Sequence, residues 1–157
     1  MRGLAALVLG AAMMTACAGP AETASSSSAP NEASSPTGAV AVPVEEGVAL
    51  VIGAAQQGQT VTVAVGERFA VALVGVPTAG YVWAPQSVPE FITRAGEGGG
   101  PTTQAQRQPG FTGGNHWEVH YFAATAAGEG TITLAQRRPW ETDAPPAATF
   151  TVIVRAQ

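Results

Sequence analysis

The chain contains no lysine: its seven basic residues are all arginines, and eleven acidic residues outnumber them. Nucleic-acid binding needs a concentrated basic face, so this balance argues against a nucleic-acid partner. It argues equally against an electrostatic footprint on an anionic membrane. Cys17 is the single cysteine, so no disulfide can form within the chain and the fold must stand on its core. Serine is scarce where a nucleophile would be wanted. Beyond residue 46 only Ser87 remains, and no nucleophile-elbow sequence surrounds it. No window past the N-terminus shows a helical hydrophobic period with caps. The longest apolar stretch, Leu4 to Met14, is too short to span a bilayer.

That stretch has a different reading. Arg2 supplies a positive start, Leu4 to Met14 an apolar middle, and Met14-Thr15-Ala16-Cys17 a run of small residues leading into the cysteine. The arrangement resembles a bacterial lipobox, in which a peptidase cleaves before the cysteine and acyl chains are attached to it. Residues 1–16 are thus expected to be a lipoprotein signal peptide and Cys17 a lipidation site. More than one acyl chain anchors stably, because each buried CH2 contributes. The expected location is extracytoplasmic, lipid-anchored to the bacterial cell envelope at the outer membrane or cell surface. Residues 17–46 then read as a tether. Ser25 to Ser28, repeated alanines and Pro20, Pro30, Pro36 and Pro43 offer little to bury, so disorder is expected. A flexible chain of that length reaches roughly 30 Å.

Residues 47–157 read as one all-β domain. Val61, Val63 and Val65 alternate with Thr60, Thr62 and Ala64; Phe69, Val71 and Leu73 repeat the period of two after the Gly66-Glu67 turn. Trp117, Val119 and Tyr121 alternate with His116, Glu118 and His120. Ile132 and Leu134 follow Gly128-Glu129-Gly130, and Phe150, Val152 and Val154 close the chain. Val48 to Ile52 and Phe91 to Arg94 are shorter candidates. Six or seven short strands with Gly/Pro turns predict two sheets packed as a sandwich, with an open barrel as the alternative. Ala95 to Asn115, rich in Gly, Gln, Thr and Pro, reads as a mobile surface connection.

Two stiff loop sequences stand out. Gly75-Val76-Pro77-Thr78-Ala79-Gly80-Tyr81-Val82-Trp83 and Arg138-Pro139-Trp140 each lie between strand-like segments and each carry exposed-looking aromatics. Loops on a rigid scaffold are suited to recognition. No polar catalytic partner accompanies either, which points to binding and not catalysis.

Val76-Pro77-Thr78-Ala79-Gly80-Tyr81 before a Trp, the Gly113-Gly114 loop and Arg138-Pro139-Trp140, in that order on an all-β frame, resemble the chagasin-like cysteine-protease inhibitors. The resemblance covers residues 47–157. It implies an immunoglobulin-like sandwich that blocks papain-like cysteine peptidases reversibly, as a monomer, without metal or cofactor. It implies further that Pro77, Thr78, Ala79 and Gly80, with Tyr81, form a central wedge over the peptidase's catalytic residues. Gly113 and Gly114 would flank the wedge by their backbone; Arg138, Pro139 and Trp140 would flank its other side. Val76 and Ala79 stand where the family usually has Asn and Thr, and Thr112 where its glycine loop has glycine. These departures bear on affinity and target preference.

Individual residues also have structural readings. Trp83 reads as a core aromatic, since a sandwich commonly buries one such Trp, and Trp140, among Arg, Pro, Glu and Asp, as an interface residue. Tyr81 stays open between core and interface, and Arg138 between bracing its own loop and direct contact. His116, Glu118 and His120 share one strand face, but the histidines would lie about 13 Å apart. They read as a solvent face and not as a metal site. Two other functions stay in view: an adhesion or assembly lipoprotein using the same loops, and a metal-dependent enzyme on the His116–His120 strand.

Overall fold

The computed structural model describes residues 38–157. The signal peptide, Cys17 and the first part of the tether lie outside the described residues. Eight strands follow one another: β1 (Val48–Ile52), β2 (Thr60–Val63), β3 (Arg68–Gly75), β4 (Val82–Ser87), β5 (Ile92–Pro101), β6 (His116–Ala124), β7 (Gly128–Arg137) and β8 (Ala148–Ala156). They form two four-stranded sheets, ordered β1-β3-β6-β5 and β2-β8-β7-β4. β1 runs parallel to β3 and β2 parallel to β8; the other pairs are antiparallel. The chain is therefore all-β in two sheets, with no α-helix among the described residues.

The alternating residues meet between the sheets. Phe69, Val71, Leu73 and Phe122 of the first sheet pack against Ile132, Leu134, Phe150, Val152 and Val154 of the second. The Phe69 and Phe122 rings stack with centroids 5.6 Å apart. Each such fully buried side chain contributes about 1.5–3 kcal/mol, which is how a chain without a disulfide holds two sheets together. Trp83 packs on the edge of this cluster, as expected, and its indole N–H donates to the Val74 carbonyl at 3.0 Å.

The first sheet is buried on its outer face as well. Ala70, Ala72, Val119 and Tyr121 form a second cluster, covered by Val42, Val48 and Trp117. Val42 comes from the segment 38–46, read above as the end of the tether, which lies as a strap on this face. Val40 N–H donates to the Thr102 carbonyl (2.8 Å), Trp117 Nε1–H to the Val40 carbonyl (3.0 Å) and Glu45 N–H to the Tyr121 hydroxyl (3.2 Å). Arg68 pairs with Glu45 at 2.7 Å. Val42 supplies the apolar side chain from this segment, one that composition averaged away among Ala, Pro and Glu.

This second cover reverses one expectation. Trp117, Val119 and Tyr121 face the strap, so His116, Glu118 and His120 point between the sheets and not to solvent; His120 is only 6% exposed. When both faces of a strand are buried, the more apolar set no longer marks the core side. The expected connection at 95–115 is also more ordered than its composition suggests. Strand β5 continues through Gly96, Gly98, Gly99 and Gly100 to Pro101. A Cβ on Gly98 would press on the Tyr121 ring and one on Gly99 on the Trp117 carbonyl, so close approach to β6 explains these two glycines. Beyond it the Gln106 side chain ties the segment together. Its Oε1 accepts from the Thr102 and Thr103 amides (2.7 and 2.9 Å), and its Nε2 donates to the Asn115 carbonyl (2.7 Å).

Candidate functional site

The Gly75–Trp83 run is the connection by which the chain leaves the first sheet at β3 and enters the second at β4. Val76 and Tyr81 close it as a pair: Val76 N–H donates to the Tyr81 carbonyl (3.0 Å) and Tyr81 N–H to the Val76 carbonyl (3.2 Å). Between them Pro77–Ala79 make one 3-10 turn, with Ala79 N–H donating to Val76 and Gly80 N–H to Pro77. Proline at the first position presets φ. Gly80 ends the turn in the left-handed region at φ +79, where a side chain is disfavoured. Pro77, Thr78 and Ala79 are thereby held exposed by the loop's own backbone.

The third motif is built onto the first. Arg138 Nε–H donates to the Ala79 carbonyl (2.9 Å), its Nη1 to Glu141 Oε1 (2.9 Å), and its guanidinium lies 4.6 Å from the centroid of the Tyr81 ring. Arg138, left open above, thus braces the wedge, and Tyr81 is the surface on which it rests. The Trp140 ring lies over Gly80: a Cβ there would come within 2.8 Å of Cζ2 and collide with Cη2. Even so seated, Trp140 stays 68% exposed, the most exposed large apolar side chain among the described residues. Pro139 stands between these two anchors.

The glycine pair lies on the other flank. Gly113 and Gly114 both have positive φ, +84 and +95. A Cβ on Gly113 would sit 3.8 Å from Thr78 Cγ2, which brings the second motif against the wedge. Phe111, 44% exposed and beside Gly114, is an apolar group on this flank that the sequence reading did not single out. The three motifs, far apart along the chain, therefore meet at one end of the two sheets.

Beneath the wedge lies a cleft of about 560 Å3 between the sheets, lined by Pro77, Trp83, Glu97, His116, Glu118 and His120 among others. Glu118 Oε2 accepts the Trp83 N–H at 2.5 Å, and His120 Nε2 contacts the Trp83 carbonyl at 3.1 Å. His120 Nδ1 stands 3.4 Å from Glu97 Oε1. Burial pushes the Glu118 carboxyl above its ordinary range and, as the largest cause, pushes the His120 imidazole below its own. Among the described residues no three His, Cys, Asp or Glu side chains are grouped to hold a metal ion.

Residues 62–154 match the family model described as chagasin family peptidase inhibitor I42. Amoebiasin-1 of Entamoeba histolytica is 36% identical over 99 residues, covering 62% of this chain and 90% of that protein. The solution structure of Amebosin superposes with a TM-score of 0.54 at 32% identity, over 69% of this chain and 97% of its own. The crystal structure of EhICP2, a cysteine protease inhibitor of Entamoeba histolytica, gives a TM-score of 0.58 at 18% identity, over 69% of this chain and 96% of its own, a likeness of fold. With its two sheets, three converging loops and a family match across most of the described residues, the chain belongs to the chagasin family of peptidase inhibitors.

Proposed function

We propose that the protein is a reversible inhibitor of papain-like cysteine peptidases, not an enzyme, that needs no metal or cofactor. In this reading the immunoglobulin-like sandwich acts as a monomer, held at the outer membrane or cell surface of a bacterial cell envelope through acyl chains on Cys17. Pro77, Thr78, Ala79 and Gly80 enter the active-site cleft, Gly113 and Gly114 approach one wall by their backbone, and Trp140 packs on the other. Arg138 and Tyr81 hold the wedge from behind. The relatives' descriptions as peptidase inhibitors support the class of partner.

One observation carries this reading: a preformed wedge of small side chains beside a Trp that is 68% exposed. Exposing so much aromatic surface costs the free protein and is recovered when a partner covers it. A wedge already locked by Pro77, Gly80 and Arg138 loses little entropy on docking. Its turn presents no extended peptide for in-line attack, so the nucleophile is covered without being supplied a substrate. The test is titration of the chain from Ala18 to Gln157 into papain turning over a fluorogenic peptide, with trypsin as control. Papain should lose activity reversibly and trypsin should not. Trp140→Ala should weaken inhibition about 30-fold, the loss of a roughly 2 kcal/mol anchor. Full papain activity at micromolar protein, also seen with two relatives of papain, would defeat the proposal.

A further inference from the structure

Gly75 and Trp83 stand at the two feet of the wedge loop, one ending β3 and the other in β4. Their strands belong to different sheets, so below the Val76–Tyr81 pair no backbone ladder continues across the gap, which only the Trp83 indole bond to the Val74 carbonyl spans directly. β4 is also an edge strand, paired only with β7. The free edge of Trp83 is nonetheless fully engaged: its N–H goes to Glu118 and its carbonyl to His120, both from β6 of the opposite sheet. A carbonyl can only accept, so this contact requires the proton of neutral His120 to sit on Nε2. Nδ1 then carries no proton and lies 3.4 Å from Glu97 Oε1, a carboxylate that favours protonating the ring against the burial that disfavours it.

Gly75 supplies an independent observation. Its φ is not in the left-handed region, so its backbone does not call for glycine. A Cβ there would instead collide with the Glu118 carboxylate, at Oε1 and at the carboxyl carbon. Glycine at the foot of β3 makes room for a carboxylate wedged between β3 and β4. That carboxylate is half-buried and its Oε1 is unpartnered, an arrangement that burial alone would not favour.

We propose that Glu118 and His120 are positioning residues of the inhibitory site: they clip both backbone groups of Trp83 across the sheets and thereby fix the gap from which the Pro77–Gly80 wedge rises. Neither touches the peptidase; they act through the loop. The inference rests on the reading of that loop as the part that enters the peptidase. A clip of this kind matters for binding because the wedge is useful only if its four residues arrive already in place. Charged neighbours of the clip are few. Glu97 stands beside His120, His116 lies next along β6, and Arg94 on β5 opposes protonation of His120.

The experiment uses the chain from Ala18 to Gln157 and reads two quantities on each variant, amide hydrogen exchange in the free protein and inhibition of papain. Glu118→Ala and His120→Ala remove one jaw each. Both should speed exchange at Trp83 and Gly80 about 10-fold or more, the loss expected for a hydrogen bond to a charged or buried partner. Exchange in the β7–β8 ladder around Ile132 and Val152 should stay unchanged, and papain inhibition should weaken by a similar factor. Glu118→Gln keeps an acceptor and His120→Gln keeps a donor, so both should return exchange and inhibition to within about 3-fold of the parent. Gly75→Ala should behave like Glu118→Ala, since it displaces the carboxylate without removing it. Unchanged Trp83 exchange in Glu118→Ala, or unchanged inhibition despite faster exchange, would overturn the proposal. A parent chain that inhibits no peptidase would defeat the inhibitor reading alone, because exchange would still decide whether the clip holds the loop.

Discussion

Gly80→Ala should damage inhibition through Trp140, and a double-mutant cycle isolates that route. The substitution does two separable things. It places a side chain at φ +79, which costs about 1–2 kcal/mol in the left-handed region. It also puts a methyl group 2.8 Å from Trp140 Cζ2 and in collision with Cη2. Carbon atoms rest at about 3.5–4.0 Å, so the indole must retreat by roughly 1 Å or more. The backbone strain is present in both free and bound inhibitor, so it lowers the melting temperature but largely cancels from the inhibition constant. The ring displacement does not cancel, because the anchor then meets the peptidase out of register. Gly80→Ala alone should weaken papain inhibition about 30-fold, matching Trp140→Ala, each removing an anchor of roughly 2 kcal/mol. If both act on one anchor, the double variant should also lie near 30-fold, far from the roughly 1000-fold that independent effects would multiply to. Inhibition constants from tight-binding titrations of the four proteins, with melting curves for each, decide the matter. A double variant near 1000-fold would refute the argument and show that Gly80 acts through the wedge backbone alone.

Other expectations follow from single contacts. Arg138→Lys should weaken inhibition about as much as Arg138→Ala, roughly 10-fold, because an ammonium cannot bond Ala79 and Glu141 as a fork while lying flat on Tyr81; full rescue by Lys in the papain titration would count against the brace. Starting the chain at Gly47 instead of Ala18 removes the strap over Val119 and Tyr121, so the melting temperature should fall by several degrees; an unchanged melt would mean that the strap covers the sheet without holding it. The pH dependence of stability divides between two buried groups of opposite sign. His120 titrates below its ordinary 6.5 when folded, so the stability it contributes is present above pH 6.5 and lost as pH falls through the folded value. Glu118 titrates above its ordinary 4.5, so its contribution is present below pH 4.5 and lost as pH rises through the folded value. In melts across this range His120→Gln should flatten the acid-side loss, and Glu118→Gln should match or exceed the parent at neutral pH, with the gain shrinking towards pH 4.5.

The elements that were legible in the sequence are those whose physics is local. Phe69, Val71 and Leu73, and again Phe150, Val152 and Val154, alternate because one side of each strand meets the core between the sheets, and period two is visible without the partner. Pro77 and Gly80 likewise announce a stiff turn, since φ restriction and φ freedom belong to the residues themselves. What could not be read depends on a surface supplied from elsewhere. The inward set of β6 is His116, Glu118 and His120 because Val42 of the strap and Val48 of β1 cover the other side. The β5 glycines read as slack, yet they are strand residues whose missing side chains admit Tyr121 and the Trp117 carbonyl. Gln106, one of several glutamines in a polar stretch, gives no sign in the sequence that it ties Thr102, Thr103 and Asn115 together.

The same division runs through the binding end. Its three motifs were legible one by one, whereas their union was expected only through the family resemblance, because every contact that joins them crosses between distant segments: Arg138 to Ala79, Trp140 to Gly80, Gly113 to Thr78. One of these three contacts, Trp140 on Gly80, depends on glycine, and that glycine has positive φ. One residue type therefore serves the turn and the packing at once, which is why it is hard to replace there. The exposure of Trp140 follows from this economy. Gly80 lets the indole lie flat on the wedge, and Arg138, bonded to Ala79 and Glu141, holds the strand end from which it projects. With its underside seated and its backbone braced, the ring cannot fold back into the core to hide its other face. That face stays open in the free chain, and under the proposed inhibitor reading the 68% of Trp140 that remains uncovered is what a peptidase would have to bury.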